Sequence, residues 1–136
     1  MAGRNRIEKR DGLVRKHFAS HLDYSRESRI YEKLQGSGLA PELTTSYDGL
    51  IERRFVEGAS FWELCLKYAG EPHKLAKIFE SFCEWYVKYR KLTGLILGDL
   101  NPAKFFMTEE GFCYIDFEHC MPGYAEQDIA RMVRWF

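Results

Sequence analysis

Two Asp-Gly dipeptides, Asp11-Gly12 and Asp48-Gly49, constrain this chain most, because each lies between short strand-like runs. Asp-Gly favours the tightest hairpin turns. The first is read as joining strands over residues 4–9 and 12–18 through Arg10-Asp11-Gly12, and the second as joining strands over 43–47 and 50–56. Side chains alternate along a strand, so Val14, Lys16 and Phe18 are expected on one face. Between the hairpins, Asp23 or Ser25 can cap a helix running to about Leu34, with Ile30, Tyr31 and Leu34 on its inner stripe and Gly36-Ser37-Gly38 ending it.

After a break at Glu57-Gly58 the pattern turns helical. Ser60-Phe61-Trp62-Glu63 has the form of a capping box, in which hydroxyl and carboxylate each satisfy a backbone N–H at a helix start. That helix is expected to end near Gly70, and Glu71-Pro72 to start the next. From Lys74 to about Leu92, the residues Leu75, Ile78, Phe79, Phe82, Tyr86 and Tyr89 recur at helical spacing, which predicts a long amphipathic helix against the core. Two short strands around the turn Thr108-Glu109-Glu110-Gly111 follow, then Gly123 and a terminal helix from about Ala125. Strands and helices are segregated, so the expected class is α+β with two lobes, residues 1–57 and 58–136, in one domain.

Twenty Lys/Arg balance twenty Asp/Glu, which argues against a general nucleic-acid or membrane-surface binder. Through Lys33 there are nine basic residues against five acidic, leaving eleven against fifteen in the remainder. Such an offset suits an anion and a divalent cation held between the two parts. The four cysteines form no Cys-x-x-Cys pair and stand in no zinc-ligand spacing with the four histidines, so free thiols in a reducing compartment are expected. Met1 to Gly12 is polar and basic, without the apolar centre of a signal peptide. No apolar run is long enough to span a bilayer. A cytoplasmic location follows as the expectation.

The chemistry concentrates between Leu97 and Glu118. Asp99 and Asp116 stand seventeen positions apart around one predicted hairpin. Asp99 follows Gly98 in a loop stiffened by Pro102, where a carboxylate can orient an attacking hydroxyl and accept its proton. Asp116 ends an apolar strand, where an aspartate needs a partner or a metal ion, and its oxygens are hard ligands suited to magnesium. Lys16, beside Val14 and Phe18, needs a counter-ion that the following helix offers in Glu27.

Several segments, in order, resemble the protein-kinase-like superfamily, in particular its branch of aminoglycoside and choline phosphotransferases, lipopolysaccharide Kdo-type kinases and RIO/Bud32-like kinases. Leu13-Val14-Arg15-Lys16 resembles the lysine strand, and the run from Glu27 to Leu34 the helix with its paired glutamate. Leu39-Ala40-Pro41-Glu42-Leu43 and Ile51 to Gly58 resemble the approach to the hinge and the hinge itself. Gly98-Asp99-Leu100-Asn101-Pro102 resembles the catalytic loop, Ile115-Asp116-Phe117-Glu118 the metal site, and Asp128-Ile129-Ala130-Arg131 the helix start after it. The resemblance implies a bilobal kinase-like fold, with a small N-terminal antiparallel sheet bearing one helix and a mainly helical C-terminal lobe. It implies ATP and Mg2+ as cofactors and transfer to a hydroxyl acceptor, more a small molecule, sugar or lipid-linked glycan than a protein. Lys16 then holds the α/β-phosphates and Glu27 orients it. Val56 offers its backbone to adenine between Val14 and Phe106, Asp99 is the base, Asp116 the magnesium ligand, and Asp128 a brace for the loop.

The chain departs from that pattern in four ways. Leu97 replaces the loop histidine, and Lys104 stands where a metal-binding asparagine is expected. An ammonium cannot bind magnesium but can neutralise phosphate charge in its place, and Asn101 is a substitute ligand. Gly3 and Gly12 form no phosphate-cradling run. One helix alone follows the second aspartate, as in a minimal or truncated member, and apolar groups in Met132-Val133-Arg134-Trp135-Phe136 need a cover, from a second copy or a partner chain. The alternative function is a nucleotide-binding pseudokinase or scaffold.

Overall fold

The computed structural model describes residues 4–136; Gly3, and with it the opening of the Met1–Gly12 terminus, lies outside the described residues. Strands β1 (Arg6–Arg10) and β2 (Leu13–His17) precede helix α1 (His21–Leu34), and β3 (Leu43–Tyr47) and β4 (Leu50–Arg54) follow it. Helices α2 (Phe61–Lys67) and α3 (Pro72–Thr93) come next, then a 3-10 turn (Pro102–Lys104), β5 (Phe105–Thr108), β6 (Gly111–Tyr114) and helix α4 (Ala125–Val133). The first four strands form one antiparallel sheet in the order β1-β2-β4-β3, and β5-β6 is a separate hairpin. The described residues thus form a mixed α/β fold with a small antiparallel sheet and four helices.

Both Asp-Gly turns sit where expected, but several element ends differ. Ser20, rather than Asp23 or Ser25, caps α1, its hydroxyl accepting from the Asp23 N–H. Ser20 is a residue type as suited to capping as Asp23 and Ser25, and its extended backbone (φ −116°, ψ 126°) makes it the cap. β2 closes at His17 and β4 at Arg54, although Phe18 N still donates to Gly49 O and Phe55 N to Gly12 O, both at 2.8 Å. The hydroxyl half of the Ser60 box forms, with Glu63 N donating to Ser60 Oγ at 3.1 Å. Helix α2 stops at Lys67, before Gly70. Helix α3 starts at Pro72, where proline's missing N–H costs no helical bond.

One continuous core joins the two halves. Ile30, Tyr31, Leu34 and Ile51 from the first half pack with Phe61, Phe82, Trp85, Tyr89, Phe105, Tyr114 and Phe117 from the second. Trp85 stands edge-on to Phe105 with centroids 4.8 Å apart and stacks on Tyr89 at 5.0 Å. Burial of aromatic rings dominates the energetics of such a core. The Leu39 carbonyl ties the halves, accepting from Trp85 Nε1 at 2.9 Å and Tyr114 N at 3.0 Å. Gly58, at the turn between them, has φ of 142°, and a Cβ there would collide with the Met107 carbonyl. On the far side, α4 leaves Ile129 and Val133 exposed, while Phe136 leans on Trp62 and Phe79. Among the described residues no helix is long and apolar enough to cross a membrane.

Candidate active site

Lys16 points from β2 toward α1, because its strand neighbour Val14 is buried and alternation puts both on the core-facing side. Its Nζ lies 2.8 Å from Glu27 Oε2, 3.1 Å from Glu118 Oε2 and 3.7 Å from Asp116 Oδ1. Phe18 adds its ring, 4.8 Å below the ammonium. Glu27 is fully buried, and its second oxygen accepts from Phe117 N at 3.1 Å. Burial pushes the Glu27 carboxyl up to about 7, against the pull of Lys16. Burial also works against the charge on Lys16, but Glu27, Asp116 and Glu118 outweigh it and hold the ammonium above its usual range.

Glu27, Asp116 and Glu118 bring carboxylate oxygens within 4.8 Å of one another. Asp116 Oδ1 is buried there and has no hydrogen-bond partner among the described residues; Lys16 reaches it at ion-pair range. Three carboxylates against one ammonium leave excess negative charge, and a carboxylate oxygen without a donor is available to a hard cation. Glu118 is further held by Asn5, whose Nδ2 donates to it at 2.7 Å.

The Asp99 loop is built differently. Asp128, wholly buried at the start of α4, accepts from Leu97 N at 2.7 Å, Gly98 N at 3.0 Å and the Tyr86 hydroxyl at 2.6 Å. Burial and the nearby Asp128 push the Tyr86 phenol well above its usual range, so it stays a donor. Gly98 has φ of 81°, and a Cβ there would collide with the His119 carbonyl, so the loop can lie this close only through glycine. Leu97, in place of a histidine, is buried and anchors the loop through the core. The Tyr114 hydroxyl bridges the loop, donating to Asp99 O and accepting from Asn101 N. Asp99 itself stays half exposed; its Oδ1 accepts from Arg131 at 2.7 and 3.1 Å, and its Oδ2 lies 3.8 Å from His119 Nε2. His119 also lies 3.2 Å from Glu118, which links the loop to the Lys16 cluster.

The predicted residues fall into three groups. Val14, Val56, Phe106 and Lys104 line one cavity of about 240 Å³ with Ile115 and the cationic Lys9 and Arg53. Lys16, Glu27 and Asp116 form the ionic cluster, none of them lining the cavity, although Ile115 on the cavity wall directly precedes Asp116. Asp99 stands beyond His119. Asn101 belongs to none of them: its Oδ1, the atom a metal would take, accepts from Ala103 N and caps the 3-10 turn. A larger groove of about 590 Å³ shares Val56 but touches none of the ionic residues. Glu118, His119 and Arg131 were not foreseen as site residues, although Glu118 closes the Asp116 segment, His119 directly follows it, and Arg131 closes the segment of Asp128, the expected brace.

No protein-family model matches this chain, and no curated protein does. Among solved structures it is similar to the M. tuberculosis PknI kinase domain, at 17% identity and a TM-score of 0.46, covering 95% of this chain and 59% of that domain. The chain therefore spans about three fifths of that domain's length.

Proposed function

We propose that the protein is a kinase-like phosphotransferase that moves the γ-phosphate of ATP to a hydroxyl acceptor with Mg2+ as its divalent ion. The observation that carries this reading is the presence of three groups in one fold: a cavity lined by Val14, Val56 and Phe106 with Lys9, Arg53 and Lys104, a Lys16–Glu27–Asp116–Glu118 cluster, and a half-exposed Asp99 on a clamped loop, which His119 links to Glu118. Val14, Val56 and Phe106 suit a planar apolar base, and Lys104, Lys9 and Arg53 suit an anion. The uncoordinated Asp116 Oδ1 and its acidic neighbours fit magnesium, with Asp116 and Glu118 as the residues that would hold it. Bound there, the ion would neutralise phosphate charge. Glu27 orients Lys16 toward the phosphates, and Asp99 takes the proton of the acceptor hydroxyl.

The Gly-Asp form of the loop and the short interval between Glu118 and Asp128 favour a small molecule, sugar or lipid-linked glycan over a protein acceptor, by analogy with the resembled branch. ATP use and four unpaired cysteines suit a cytoplasmic site of action. Lys104 on the cavity wall favours a second reading, a nucleotide-binding pseudokinase. A screen of hydroxyl acceptors with γ-labelled ATP tests the assignment. Asp99→Asn is expected to lower transfer by about 10²–10⁴-fold while nucleotide binding persists. Full transfer by that variant removes Asp99 from its role.

A further inference from the structure

Arg131 lies three residues beyond Asp128 on α4, a spacing that puts both side chains on one helix face. Asp128 clamps the backbone of the 97–98 loop from inside the core. Arg131 reaches the side chain that this loop presents: its Nε and Nη2 both donate to Asp99 Oδ1, at 3.1 and 2.7 Å. A half-exposed aspartate on a loop would otherwise rotate freely. A planar guanidinium gripping one oxygen with two donors removes that freedom and leaves the other oxygen open. Among the described residues, Oδ2 has only the His119 ring in reach, at 3.8 Å.

We propose that Arg131 is a positioning residue for Asp99, holding the carboxylate by Oδ1 so that Oδ2 faces the acceptor hydroxyl. The inference rests on the phosphotransferase reading. In that reaction the acceptor oxygen forms a bond to the γ-phosphorus and passes its proton to Asp99 Oδ2. The bond from the γ-phosphorus to the β–γ bridging oxygen breaks, and that oxygen leaves on the nucleoside diphosphate. With water as acceptor the products are inorganic phosphate and the diphosphate. Arg131 touches neither reactant; it fixes the oxygen that receives the proton. A misplacement of about 1 Å at such a group can cost on the order of 10²-fold in rate. As an exposed ion pair the same contact contributes little to stability, so the two roles separate by measurement.

The test uses the full chain with MgATP and water as acceptor, and 13C-carboxyl aspartate labelling to follow Asp99, whose resonance is assigned by its loss in Asp99→Asn. Arg131→Gln is expected to lower kcat by about ten- to a hundredfold at unchanged KM for ATP, to move the Asp99 carboxyl resonance, and to leave the melting temperature in place. Arg131→Lys should recover part of the loss, because an ammonium restores the charge and one contact but not the fork. Arg134→Gln, at the exposed C-cap of the same helix, should match the parent. An Arg131→Gln variant with unchanged or raised kcat, or with an unmoved Asp99 resonance, overturns the inference. A parent chain that turns over no MgATP while Arg131→Gln still moves the resonance overturns the phosphotransferase reading, and the catalytic role of Arg131 with it, while leaving the contact itself established.

Discussion

At the Lys16 corner, four charged side chains are drawn together and Glu27 is wholly buried, whereas at the Asp99 loop the backbone is clamped and the carboxylate stays half exposed. The first arrangement tunes charge by taking it out of water, which raises both the strength of each contact and the cost of each unpaired oxygen. The second leaves charge in reach of solvent and fixes position instead, through Asp128 and the close approach at Gly98. Under the proposed function, a corner meant for phosphate and metal needs a defined electrostatic field, and a loop meant for an acceptor needs access. The contrast predicts different responses to mutation at the two places.

The largest effect is expected at the loop's clamp. Asp128→Ala strands the buried Leu97 N–H, the part-buried Gly98 N–H and the Tyr86 hydroxyl, at about 1–3 kcal/mol for each unsatisfied buried group. Denaturant unfolding should show a loss of about 3–5 kcal/mol. A loss under about 1 kcal/mol would mean that packing of Leu97 and Leu100, rather than Asp128, holds the loop.

The corner should respond to pH. Glu27 ionises at about 7 in the fold, above the ordinary 4.5, so the folded protein holds a proton that the unfolded chain releases. Stability from this group is present below about 4.5 and is lost as pH rises to about 7. Lys16 gains its ionised partner over the same range, so MgATP binding should tighten as stability falls. Calorimetric titration at pH 6 and 8, with unfolding measured alongside, checks the opposed signs; Glu27→Gln should flatten both trends and weaken binding. Parallel trends, or a persistent slope in Glu27→Gln, would remove Glu27 as their source.

The smallest effect concerns Lys104. If this lysine disables turnover, Lys104→Asn raises transfer several-fold, about 1 kcal/mol in barrier. A fall instead would make the lysine a useful phosphate partner, and the contrast between the buried Lys16 corner and the half-exposed Asp99 loop would extend into the cavity.

The hairpins and the long helix were legible because Asp-Gly turns and helical spacing are local signals. The α1 start was misread by a few residues because Ser20, Asp23 and Ser25 are equivalent as residue types, and the cap depends on φ and ψ. The meeting of Lys16, Glu27 and Asp116 was legible through the order of motifs. The ties of Glu118 to Asn5, of His119 to Asp99 and of Arg131 to Asp99 were not, because contacts between segments this far apart leave no periodic trace. Asn101 misled for a related reason: its residue type suits a ligand, but the Pro102 turn behind it uses its oxygen as a cap.

Thermal-shift titration with ATP, with and without Mg2+, on the parent and Asp116→Asn tests the central claim most directly. Stabilisation by ATP should grow when Mg2+ is added to the parent, as differential binding to the folded state requires, and that increment should vanish in Asp116→Asn. No shift under either condition would contradict a nucleotide site here, and an ATP shift indifferent to Mg2+ would contradict the metal-dependent transferase in favour of the pseudokinase.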